Sequence, residues 1–260
     1  MRLIDTHCHL ADKRLRRDLP GALDRAEDAG VVAFVCAAGD LREARAALET
    51  ARAHRDRKIF CTVGVHPHEA KDATGDYLRQ VEQLAKEPQN VAVGEIGLDY
   101  YRDLSPRDVQ KKVFAEQLEL AARLSKPVVI HSRDAFDDTL AVLSESDVDP
   151  KRVVIHSCTE DAAAVRRALD MGATISFSGI VTYRKTDYLR KAAAIVPDDR
   201  LLVETDCPYL SPEPVRKMRT NEPANVLHVL RTLAEVRGVE AEALAGRTTA
   251  NAIGFFGLDL

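Results

Sequence analysis

Tryptophan is absent from these 260 residues, and all aromatic residues together make up only 5%. A core must therefore be built from aliphatic side chains, and with 45% of residues hydrophobic there are enough of them for an ordinary globular protein. The five cysteines, Cys8, Cys36, Cys61, Cys158 and Cys207, are odd in number and show no CxxC spacing. That argues against a disulfide framework or a thiolate zinc site. They fall in or just after apolar runs and are expected as reduced core residues of a cytoplasmic protein. No uninterrupted apolar run is long enough to span a bilayer, so no membrane partner is expected. The opening residues read as a strand, not as a charged segment followed by a hydrophobic run, so no signal peptide is expected. Positive charge is not in excess either: 37 Lys and Arg stand against 41 Asp and Glu, a net −4. This excludes a broad basic surface for long nucleic acid but leaves room for a local basic site.

What the chain does have is one rhythm, repeated. Short β-branched runs (RLIDTH, VVAFVCAA, KIFCTVGV, VAVGEIG, KPVVIHS, RVVIHSC, ATISFSG, LLVETD) alternate with longer stretches whose apolar residues recur at three- and four-residue steps. Eight strands alternating with eight or more helices, without a linker or low-complexity tract, read as a single α/β domain over residues 1–260, a (β/α)8 TIM barrel. A doubly wound open sheet is the alternative, but no glycine-rich first turn supports it.

In such barrels the active site is built at the C-terminal ends of the strands. Here those ends carry His7 and His9, His66 and His68, Glu95, His131, His156, and the pair Glu204 and Asp206. Six of the eight histidines thus sit where an apolar run stops, while His54 and His228 fall in helical segments and are read as surface or packing residues. Any one of these positions alone would be an ordinary loop residue. Convergence changes that, because buried carboxylates and clustered imidazoles cost several kcal/mol unless a cation compensates them.

Four histidines and two carboxylates, with no thiolate, are too many ligands for one open tetrahedral site and enough for two ions sharing a carboxylate. Glu95 is the natural bridge. His7, His9, Glu95 and Asp206 are expected to hold one ion, and Glu95, His131 and His156 the other. Zinc or manganese suits the imidazoles, and magnesium remains compatible with the carboxylates.

The motifs DTHCH, GVHPHE, VGEIGLDYYRD, KPVVIHSRDA, IHSCTED and VETDCPYL followed by NEPANV run in this order from residue 5 to residue 226. Together they resemble the TatD family of metal-dependent deoxyribonucleases, within the amidohydrolase-like barrels. The resemblance implies that His7, His9, Glu95, His131, His156 and Asp206 bind the metals. It also implies 3′-to-5′ exonuclease action on DNA. Thr6, at a position taken to face outward, stands where many members have serine, and Thr220 stands where many have arginine.

The chemistry expected is metal-assisted phosphodiester hydrolysis, with Asp206 as general base and Glu95 shared between the ions. Two dications against two ligand carboxylates leave a formal excess of two positive charges for an anionic substrate. Glu204, two residues before Asp206 and so on the same strand face, is expected to position water, to join a third metal, or to pair with a lysine or arginine. His66, Arg133 and Tyr183 are candidates for substrate contact, with Arg133 alternatively paired to Asp134 or Asp137. Tyr100, Tyr101, Tyr183 and Tyr209 follow strand ends and could stack a base. The expected partner is single-stranded or frayed DNA acting as substrate, and a monomer is favoured. Many binuclear amidohydrolases bridge their ions with a carboxylated lysine, so an amide- or ester-cleaving enzyme is the alternative; a non-catalytic metal-dependent binding protein is the third reading. Strand 4 here offers Glu95 and no lysine, and Lys126 precedes strand 5, at the opposite end of the barrel.

Overall fold

The computed structural model describes all 260 residues. Eight parallel strands form one sheet in sequential order, β1 (Leu3–Cys8), β2 (Val31–Cys36), β3 (Ile59–Val63), β4 (Asn90–Asp99), β5 (Val128–Arg133), β6 (Val153–Ile155), β7 (Thr174–Phe177) and β8 (Leu201–Val203). A parallel bridge between Cys8 and Cys207 closes the ring, giving the barrel expected from the sequence. The crossovers are α1 (Leu19–Asp28), α2 (Leu41–Ala53), α3 (Tyr77–Ala85), α4 (Arg107–Leu124), α5 (Phe136–Ser144), α6 (Ala162–Met171) and α7 (Asp187–Ile195). Two helices, α8 (Val226–Arg237) and α9 (Ala241–Phe256), follow β8. No helix is long and apolar enough to cross a membrane.

Two clusters of buried side chains follow from strand alternation. One of 52 residues lies between the strands and the surrounding helices. Another, of 11 residues, draws Ile4, Ala33, Val129, Val154 and Leu202 together with Ala252 and Phe256 of α9. Ile4, Ala33, Val129, Val154 and Leu202 alternate along their strands with neighbours in the first cluster, so this second cluster lines the barrel interior. All five cysteines are buried free thiols.

Alternation breaks where the candidate site begins. Counting inward from Ile4, Thr6 should face in and His7 out. A register irregularity between Asp5 and Cys8 reverses the phase. His7 enters the mouth, and Thr6, on the opposite face, is buried with its hydroxyl donating to the Val203 carbonyl at 2.9 Å. A second irregularity, between Val93 and Ile96, turns Glu95 inward although Val93 belongs to the outer cluster. Bulges of this kind re-aim single side chains.

The seam between β8 and β1 is held largely by side chains. Asp5, fully buried, accepts from the Thr205 amide at 2.9 Å and the Thr205 hydroxyl at 2.6 Å. Burial pushes its carboxyl up to about 8 despite those bonds. Asn221 donates to the Thr205 carbonyl at 3.1 Å and, through its backbone, to Pro208 at 3.0 Å. The NEPAN segment therefore braces the turn that carries Asp206.

Gly97 shows how closely β4 and β5 must approach. Its φ is +140°, and a Cβ there would lie 2.0 Å from the His131 carbonyl oxygen. Gly97→Ala is expected to cost about 2–4 kcal/mol, because both the backbone conformation and the strand spacing resist it. Gly246→Ala in α9, where a Cβ meets nothing within 4 Å, should instead gain roughly 0.5–1 kcal/mol. Urea midpoints of the two variants check the contrast; equal midpoints would show that the strands can part.

Candidate metal centre

The strand ends bring eight of the sequence-chosen side chains into one cluster. Glu95 lies at its centre. Its Oε1 is 2.8 Å from His131 Nδ1, 2.8 Å from His156 Nε2 and 3.4 Å from His66 Nε2, while its Oε2 is 3.3 Å from His7 Nε2. The carboxylate thus turns one oxygen to each side, as a shared ligand must. Asp206 stands across the mouth, its Oδ1 3.2 Å from His9 Nε2 and 3.8 Å from His7 Nε2. His7 and His156 stack at 4.0 Å.

Glu204 and Asp206 meet different histidines. β8 ends at Val203, and Asp206 sits at φ +55° in the left-handed region, so the chain turns between them. Asp206 lies beside His7 and His9, whereas Glu204 meets His156 and also comes within 4.8 Å of a His7 nitrogen. Glu204 accepts from Ser176 Oγ at 2.5 Å and lies 3.1 Å from His156 Nδ1. It pairs with no lysine or arginine.

Asp99, quoted within VGEIGLDYYRD but given no role from sequence, plays the matching part on the other side. Its Oδ2 is 3.1 Å from His131 Nε2 and 2.8 Å from His68 Nε2, and its Oδ1 accepts from the Arg102 amide at 2.7 Å. Each of these two carboxylates holds the outward nitrogen of a histidine whose inward nitrogen faces Glu95. That arrangement fixes the tautomer of His131 and of His156 and leaves a lone pair directed at the site.

The acids and imidazoles strongly perturb one another. Burial raises Glu95, but the facing His156, His66 and His131 outweigh it and hold the carboxyl well below its usual range. Burial lowers His156, yet Glu95 and Glu204 overcome it and push the imidazole well above its ordinary value. His7 is lowered by burial and by His156. His66 differs: its Nδ1 accepts from the His68 amide at 3.1 Å, so its proton sits on Nε2. Burial brings it down to about 4. His66 therefore offers the mouth a neutral N–H donor, not a lone pair.

Four carboxylates, Glu95, Asp99, Glu204 and Asp206, meet here with only histidines as ionic partners. Both ring nitrogens of the buried His7 lack a hydrogen-bond partner. Unpartnered imidazole nitrogens beside uncompensated carboxylates are what a divalent cation satisfies. His7, His9 and Glu95 bring ligand atoms within 4.8 Å of one another, and so do His7, His156 and Glu204.

The remaining sequence choices lie outside this cluster. Arg133 is exposed at the end of β5 with its guanidinium 3.9 Å over the Tyr101 ring, and pairs with neither Asp134 nor Asp137. Tyr183 lies under Arg216 at 3.6 Å, not against Arg184 or Lys185.

A parallel barrel with an imidazole–carboxylate cluster at the C-terminal mouth defines a metal-dependent hydrolase. The family profile described as TatD related DNase matches residues 4–257, and the chain belongs to that family. It is 40% identical to the uncharacterized metal-dependent hydrolase YcfH of Escherichia coli (strain K12), over 100% of this chain and 97% of that protein. It is 35% identical to a 3′-5′ ssDNA/RNA exonuclease TatD of Erwinia billingiae, over 98% of this chain and 99% of that one. The crystal structure of YJJV, a TatD homolog from Escherichia coli K12, superposes with a TM-score of 0.92 at 29% identity, covering 99% of both chains.

Asp99→Asn and Glu204→Gln should each lower metal affinity by about 10–100-fold, since each loosens one histidine without removing a ligand. Chelator competition against the folded variants measures this; unchanged affinity in both would reduce these acids to packing groups.

Proposed function

We propose that this chain is a 3′-to-5′ exonuclease that hydrolyses phosphodiesters at single-stranded or frayed DNA ends. The relatives named as exonucleases support the reaction, and the mouth of the barrel supports the substrate. Arg102, Arg133, Arg184, Lys185, Arg216 and Lys217 all lie on loops or strand ends at the mouth and have no carboxylate within 4.0 Å. Some cations on other surfaces, such as Arg52, Arg57, Arg237 and Arg247, are ion-paired. The observation that carries this reading is the buried imidazole–carboxylate cluster at a mouth rimmed by these six cations. Such a rim suits a strand end entering a pocket better than a duplex lying across a face.

The metal complement proposed is two divalent ions, of zinc, manganese or magnesium. His7, His9, Glu95 and Asp206 would hold one, and Glu95, His131 and His156 the other. Glu204 and Asp99 orient the imidazoles, and Glu204 is not needed for a third ion. Bound there, the ions supply an activated water and charge to stabilise the attacking and leaving oxygens. Asp206, whose side chain is 15% exposed at the mouth, takes the proton from the attacking water. His66 Nε2–H donates to a substrate oxygen. The charge count expected from the ligands alone changes once Asp99 and Glu204 are included. Two dications meet four buried carboxylates and the formal sum is zero, so attraction for a polyanion falls to the outer cations.

Lys126 donates to the Asn90 carbonyl at the far end of the barrel, leaving Glu95 as the bridge and no lysine for an amidohydrolase-type centre. One chain supplies every residue of the site, and the buried free cysteines fit a reducing, cytoplasmic setting.

End-labelled single- and double-stranded DNA and RNA, incubated with metal-reconstituted protein, should give a ladder shortening from the 3′ end on single strands first. Hydrolysis of amides or lactones with no cleavage of any strand would overturn the proposal. Glu95→Gln should lose occupancy of both ions by elemental analysis. Asp206→Asn should keep the fold and much of the metal while turnover drops about 10²–10⁴-fold; full rescue by excess metal would leave Asp206 a ligand only. Arg133→Ala should weaken binding uniformly and reduce the salt slope by about 1, read from KM against ionic strength.

A further inference from the structure

Four tyrosines ring the mouth, and their surroundings separate them. Tyr100 is committed to structure: its hydroxyl donates to Asp138 at 2.7 Å, and Arg107 covers its ring at 4.3 Å. Tyr183 is covered by Arg216. Tyr101 is 58% exposed, but the cation on its ring is Arg133, whose charge no carboxylate satisfies. A phosphate would draw that guanidinium away.

Tyr209 is different. It follows the candidate ligand Asp206 by three residues, and its amide donates to the Asp206 carbonyl at 3.0 Å. Its ring stands edge-on to the His9 ring, 5.8 Å between centroids, and is 47% exposed. Arg14 lies 4.2 Å over its centroid. Arg14 is itself clamped: Nε and Nη2 each donate at 3.0 Å to the two oxygens of Asp12, and the Arg14 amide donates to Asp12 Oδ1 at 2.7 Å. Asp12 in turn donates through its amide to the His9 carbonyl at 2.9 Å. The chain His9–Asp12–Arg14–Tyr209 thus fastens a half-exposed aromatic ring to the turn that carries a candidate ligand.

A bidentate carboxylate neutralises Arg14 and holds its plane flat. Its part is therefore to stiffen a stacking surface and not to bind phosphate. A rigid, half-exposed π-face beside a phosphodiester-cleaving centre matches an unpaired nucleobase, which stacks on aromatic side chains whatever its identity.

We propose that Tyr209, stiffened by Arg14 and Asp12, is the platform on which the nucleobase flanking the scissile phosphodiester stacks. This rests on the exonuclease reading and adds a base subsite to it. Tyr209 contacts the substrate; Arg14 and Asp12 act through it as positioning residues. A base can reach the platform only when unstacked from its neighbours, so the subsite also favours single strands over duplexes.

The test compares kcat/KM on an intact oligonucleotide with that on strands carrying an abasic residue at the terminal or the penultimate 3′ position. Tyr209→Ala should lower kcat/KM on the intact strand by about 5- to 150-fold. On one of the two abasic strands the variant should match the wild type, because the lost stack was never available. Tyr209→Phe should restore the wild-type preference. Arg14→Ala should reduce the base dependence while leaving the salt slope unchanged, in contrast to Arg133→Ala. If wild type and Tyr209→Ala cleave all strands alike, the platform is refuted and the exonuclease reading survives. If the wild type cleaves no strand, both fall together.

Discussion

The carboxylate of Glu95 lies buried among four imidazoles with no lysine or arginine beside it, and a charge so placed costs several kcal/mol unless a cation compensates it. Much of the surrounding architecture follows from that single debt. Two of the breaks in strand register fall at His7 and at Glu95, where the chain needs side chains to enter the mouth that regular alternation would turn away. Asp99 and Glu204 lie behind the histidines, one on each side, so that the imidazoles present lone pairs to the centre. The rest of the barrel supplies the apolar wall that makes these charges strong.

Charge is layered from the inside outward. At the centre, acids and two dications would cancel, which lets the metals stay put without making the cavity a trap for any passing anion. Farther out, on the loops, arginines and lysines stand without acidic partners, where they are exposed to salt. Affinity for a polyanion and the chemistry performed on it are thereby assigned to different residues. His66 lies between the two layers as a neutral donor, its tautomer set by the His68 amide.

The eight strands were legible because an aliphatic chain with few aromatics has to declare its walls by β-branched runs, and the histidines at the ends of those runs marked the site. What sequence could not show was phase. His7 and His9 read as one face by simple alternation, but His7 reaches the mouth through a register break, and Thr6 is buried in the seam. Glu204 and Asp206 look like a pair by the same rule, yet they meet different histidines, which no local pattern tells apart. Asp99 was hidden by context: an acid after a strand is usually solvated, and nothing local distinguishes it from Asp103. The Asp5–Thr205 and Arg14–Tyr209 contacts join positions about two hundred residues apart in a chain with no repeat to align them. Such pairings belong to closure of the ring.

Closure itself has a consequence for the timing of the protein's life. The candidate ligands lie on both sides of a seam whose halves are the first and the last strands, joined by one backbone bridge and a few side-chain bonds. During synthesis, the segment bearing His7, His9 and Glu95 emerges long before the one bearing Asp206. A nascent chain on the ribosome, surrounded by RNA, thus holds an incomplete centre until nearly the whole barrel has left the exit tunnel. The order of the strands keeps the centre incomplete until the ring closes.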